Sequence, residues 1–215
     1  MKIRDIKIPK QITSLLILAV VLNILRVLFF SNTAFLYILW NIFLAFIPFI
    51  ISSILVLRTN KNNISKIFFV AGLILWFLFL PNAPYVITDF IHLGRIHAVP
   101  IMFDIFVLFT SAWVSLLMGL YSLVNIEKIF LLRFTKKVTN IVMVLIILFA
   151  SFGMYLGRYL RFNSWDFFVS HNYLITSIMK IVKEPNSNEN MYAYTSLFFI
   201  FIYISFISFK STKTK

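Results

Sequence analysis

The stretch KIFFVAGLILWFLFLPNAPYVITDFIHLGRIHAVP, residues 66–100, decides the fold. Residues 67–80 carry no charge. Residues 80–100 then gather three prolines, an Asp, an Arg and two His. An uncharged apolar run of this kind reads as a membrane helix, since crossing ~30 Å of hydrocarbon takes ~20 helical residues.

Working outward, the rest of the chain repeats the pattern. It is 61% hydrophobic and 13% charged over 215 residues, with a mean hydropathy of +0.94. A soluble domain is about half apolar and about a quarter charged. A β-barrel alternates polar and apolar in segments of about ten residues, whereas these runs are continuous. The spans read as 12–30, 34–57, 65–80, 101–125, 138–156 and 191–209, in a single membrane domain over 1–215. The first follows Lys2, Arg4, Lys7 and Lys10, as a signal peptide would. It is long, holds Asn23 and Arg26, and lacks a small-x-small cleavage site, so it reads as a retained span.

The net charge of +13 would suggest nucleic acid in a soluble chain. Here the basic residues flank the apolar runs, where they set orientation and meet anionic headgroups. With the N-terminus cytoplasmic, fourteen Lys and Arg fall on inner segments and five on outer ones. Both termini are then cytoplasmic. The absence of cysteine excludes disulfides and thiolate ligands.

Residues 167–182 would make a seventh span and place the basic tail outside. Their pattern argues otherwise. Asp166, Ser170, Asn172, Tyr173, Thr176, Ser177 and Lys180 share one side, and apolar residues share the other. That describes an amphipathic helix, 165–182, lying in the interface. Pro81 and Pro84 end the third span. Asn82 can cap a second such helix, 84–93, which Gly94 stops. At α-helical spacing Tyr85, Thr88, Asp89 and His92 share its face. That face either meets water or lines a polar cavity. The fold class is an all-α integral membrane protein: a six-span bundle with two short amphipathic helices on its extracytoplasmic side.

That topology places His92, His97 and His171 outside, with Asp89, Asp104, Asp166, Glu184 and Glu189. Asp104 begins a seam with Ser111, Ser115 and Ser122, which suits a helix contact. Arg26 either snorkels to the interface or pairs with Asp104. Arg158 and Arg161, one turn apart, suit a phosphate or carboxylate, or simply bilayer headgroups. Asn163 can cap the following helix with Asp166 in its first turn, which gives Asp166 a structural role beside a catalytic one. His171 falls on the apolar face, where a buried, hydrogen-bonded imidazole is expected. His92, His97, Asp89 and Asp104 are types that hold metal, but no HExxH or i, i+4 His pair is present, and no metal or other cofactor is assigned.

LFLPNAPYVITDFIHL (78–93) and GRYLRFNSWDF (157–167) resemble the two hallmark stretches of bacterial multi-pass membrane proteins catalogued as domain of unknown function 1361. The resemblance implies a bacterial cytoplasmic-membrane protein and no particular activity. Its polar positions are Asn82, Asp89, His92, Arg158, Arg161, Asn163, Ser164 and Asp166.

The resulting expectation is one outward-facing pocket lined by Tyr85, Asp89, His92, Asp104, Arg158, Arg161 and Asp166. It would bind or translocate an anionic small molecule or lipid headgroup. An enzyme acting on a lipid-linked substrate, with Asp89 or His92 as general base, is the alternative. An assembly partner without a ligand is the third reading. Membrane lipids are the expected partners and nucleic acid is not; the oligomeric state is left open.

Overall fold

The computed structural model describes residues 9–31, 33–61, 64–93, 99–169, 171–183 and 189–213. It is helical, with no strand among the described residues. Among the described residues, six helices are long and apolar enough to cross a membrane. The chain divides into two compact units, Met1–Thr135 and Lys136–Lys215.

The first unit is built around α5 (Ile101–Leu131), the most buried of the candidate spans. Against it pack α1 (Lys10–Phe30), α2 (Leu36–Asn60), the short α4 (Asn82–Tyr85) and a 3₁₀ helix, Val86–His92. Ile12, Ala19, Ile38, Phe49, Val107 and Met118 are core residues there. The third apolar run forms α3 (Lys66–Phe79), which packs on α2. Ser65 caps it, accepting from the Phe68 amide at 3.2 Å. Where α5 ends, the Arg133 guanidinium lies 3.9 Å from the Phe69 ring centre.

The two prolines end α3 without unwinding the chain. Leu80 and Pro81 keep right-handed helical dihedrals. Because Pro84 has no amide, the Leu80 carbonyl loses its α-helical donor. Ala83 N–H bonds to it instead, at 3.2 Å. The Phe79 carbonyl, which Ala83 would have served, accepts from Asn82 Nδ2 at 3.0 Å. Asn82, expected to cap the following helix, thus closes the end of α3. The polypeptide from Lys66 to His92 meets the length and composition of a span as one stretch. Gly94, read as a stop, lies outside the described residues, as do His97, Ser170 and Glu184.

In the second unit, α6 (Lys136–Tyr159) packs on α9 (Glu189–Lys213). Thr139, Met143, Ile147, Ala150 and Met154 form the buried stripe of α6, at helical spacing. The expected amphipathic helix appears as α7 (Asp166–Val169) and α8 (His171–Lys183). Ile181 of α8 packs with Tyr155 and Met191. Tyr173, Ile175 and Met179 stay exposed. His171 is exposed as well, contrary to the burial expected of it. Spread over 13 residues, α8 reaches only about 20 Å, too short to span.

Candidate functional site

Of the seven expected site residues, Tyr85, Asp89, His92 and Asp104 belong to the first unit, and Arg158, Arg161 and Asp166 to the second.

Helix type decides where Asp89 goes. An α-helix turns 100° per residue and would place Asp89 with Tyr85, Thr88 and His92. A 3₁₀ helix turns 120°, so residues three apart eclipse. Val86, Asp89 and His92 therefore share one face, and Tyr85, Thr88 and Ile91 share the next. Val86 is fully buried and Asp89 is 1% exposed, whereas Ile91 is exposed. Thr88 Oγ1 donates to the Tyr85 carbonyl at 2.7 Å, which fits that tight local geometry. The face carrying Asp89 is turned into the bundle and is not its wet side.

There the Asp89 Oδ2 accepts from Asn41 Nδ2 of α2 at 2.8 Å. A carboxylate at this depth is stable only with such donors. The His92 ring meets Tyr37, also of α2, edge to face at 5.6 Å between centres. Sequence reasoning did not single out Asn41 or Tyr37. A polar Asn in a 25-residue apolar helix was the available signal.

Asp104 has a different fate. Its Oδ1 accepts from Arg26 Nε at 2.7 Å and its Oδ2 from Arg26 Nη2 at 3.3 Å. Arg26 is 0% exposed and Asp104 is 2% exposed. The guanidinium also lies 4.0 Å from the Phe35 ring centre. Arg26 is therefore held inside the bundle, not snorkelled. A fork of two parallel bonds is the strongest geometry available to this pair. Phe35 in turn meets Tyr37 at 6.1 Å. Arg26, Phe35, Tyr37 and His92 form a continuous series of ring contacts, reaching from the ion pair to the 3₁₀ helix.

The α5 seam extends below the ion pair. Asn23 Nδ2 donates to Ala19 O at 2.8 Å and to Ser111 Oγ at 3.3 Å. Near the other end of α5, Asn125 Nδ2 donates to Ser52 Oγ at 3.2 Å. Glu127 is buried beside it in sequence. Asn23 and Ser111 were legible in the sequence; Ser52, Asn125 and Glu127 were not, because no spacing there marks them out.

In the second unit, α6 ends in an unusual turn. Arg161 has φ 59°, the left-handed region, and Phe162 N–H reaches back to the Leu156 carbonyl at 3.2 Å. Arg158 is half-buried and Arg161 exposed. Tyr155, Tyr159 and Tyr194 cluster nearby, with Tyr155 and Tyr159 stacked at 4.9 Å. Asp166 Oδ2 accepts from Asn163 N–H at 2.6 Å, and Asp166 N–H donates to Asn163 O at 3.0 Å. This is the return half of a capping box, so Asp166 has a structural duty at the start of α7.

No group of three or more His, Asp or Glu among the described residues could hold a metal ion. No curated protein and no solved structure matches the chain. The profile of a family described as a protein of unknown function, DUF1361, matches residues 40–205. That range takes in Asn41, the 3₁₀ helix, the α5 seam and the arginine turn. The chain, with its six candidate membrane spans, belongs to the DUF1361 family.

Proposed function

We propose that this protein binds, or carries across its membrane, an anionic small molecule or anionic lipid headgroup. Arg158 and Arg161 hold the anion, and Asp89 and His92 relay a proton. The observation that carries the reading is the turn at Arg161. A non-glycine residue in the left-handed region costs roughly 1–2 kcal/mol, and glycine or asparagine closes most helices that turn this way. Strain of this kind concentrates at functional positions, and here it displays an exposed guanidinium one turn from Arg158. Asp104 drops out of the anion-holding set, because its charge is matched by Arg26.

A second reading is supported by Asp89. Its buried carboxylate lies one 3₁₀ turn from the His92 imidazole, which is the composition of a general acid–base pair. Acting on a lipid-linked substrate, that pair would take up and return the proton.

The test uses the purified full-length protein and native mass spectrometry. Dioleoyl phosphatidylglycerol should be retained in preference to dioleoyl phosphatidylcholine. Arg158→Ala with Arg161→Ala should weaken that preference about tenfold or more, since each charged hydrogen bond is worth ~1.5–3 kcal/mol. An unchanged lipid ratio in a variant that still melts normally would remove the arginines from the proposal.

A further inference from the structure

Helices α1 and α5 each carry a buried polar atom without a protein partner. Asn23 Oδ1 and Ser115 Oγ have none, and their residues are 2% and 0% exposed. Such groups are rare and are commonly served by an internal water.

Their placement is specific. Arg26 meets Asp104 and Asn23 meets Ser111, so the two helices run antiparallel along this seam. One turn further along α5 is Ser115 and one turn back along α1 is Ala19, so the antiparallel register carries the two to one level. The Ala19 methyl provides no hydrogen-bonding partner and takes little space. Of the four Ser and Thr residues of α5, Thr110, Ser111 and Ser122 each donate to a carbonyl of their own helix. Ser115 does not. Ser111 and Ser115 are separated by about 6 Å along the axis, and two hydrogen bonds through one oxygen cover about 5.5 Å. Asn23 Oδ1 is an acceptor and Ser115 Oγ is donor and acceptor. Water can serve both at once. A cation would be repelled by the Arg26 guanidinium one turn away on α1, and would leave the Ser115 proton unused.

We propose that an internal water molecule sits between α1 and α5, bridging Asn23 Oδ1 and Ser115 Oγ. It completes the polar seam from the Arg26–Asp104 pair towards the middle of α5.

The test has two parts. In thermal unfolding of the detergent-solubilised protein, Ser115→Ala should lower the melting temperature by roughly 2–4 °C, through loss of a bridged bond. Asn23→Ala with Ser115→Ala should lower it by less than the sum of the two single changes, because both remove the same water. In a dry contact, removing an orphaned hydroxyl would leave the melting temperature unchanged or raise it, and the two changes would add; either result overturns the proposal. Water-edited solid-state NMR of the unaltered protein provides the second part. Rapid transfer from water to the Ser115 Cβ is expected. Absence of transfer overturns the proposal whatever the melting temperatures show.

Discussion

A charge inside a membrane bundle is bearable only in company. Arg26 and Asp104 are each removed from solvent, and the fork between them is short. Breaking such a pair from one side leaves a bare charge, at about 3–5 kcal/mol, while replacing both partners by apolar residues of similar volume is often neutral. Asp104→Asn should therefore destabilise by several kcal/mol in denaturant unfolding in detergent. Arg26→Met with Asp104→Leu should recover most of that loss; equal losses for single and double variants would mean the two charges are not coupled. This pairing was open to view in the sequence as one of two readings, because both charges lie one turn from the same end of their spans. Asp89 was recognised as polar and special, but its direction was not. That direction depends on 20° per residue between two helix types, which no side-chain pattern over seven residues resolves. His171 failed for a related reason. Amphipathic periodicity identifies an apolar face, but only tertiary contact decides which part of that face is covered.

Among elements, α5 meets the proline segment at a distance that only glycine permits. A Cβ built on Gly119 would come within 2.8 Å of the Ala83 Cβ. Neither atom is the end of a flexible side chain, so the helices themselves would have to part. Gly119→Ala should cost about 1–3 kcal/mol by overpacking, read as a lower melting temperature. Adding Ala83→Gly should restore part of it. No recovery in the double variant would place the cost elsewhere. The existence of the long helices was legible because apolar runs of this length have few other uses in a chain this poor in charge. The continuity of the helical path through Pro81 and Pro84 was not. Two missing amides predict a break, and it took the Asn82 side chain and a shift to i, i+3 bonding to hold the path together.

For the whole molecule, six candidate spans and a strongly biased set of basic flanks favour an even crossing number. The absence of cysteine makes single-cysteine labelling clean. In whole cells, a membrane-impermeant maleimide should modify Ser164→Cys. It should reach Lys137→Cys and Ser211→Cys only after the membrane is opened. Labelling of Ser211→Cys together with Ser164→Cys in intact cells would mean an odd number of crossings. Charge alone supplies an expected orientation, which the labelling tests; the division of the chain into two units was not legible, since no linker or change in composition marks Thr135.

The seven residues Val86–His92 form a 3₁₀ segment longer than the usual three or four. Rewinding them to α geometry would shorten the segment by about 3.5 Å and rotate its far end by roughly 140°. Asp89, four residues from Tyr85, would swing through about 80° and leave Asn41. The acid is thus mounted on a screw: a small axial slide of the backbone after Pro84 becomes a large change in where its charge points.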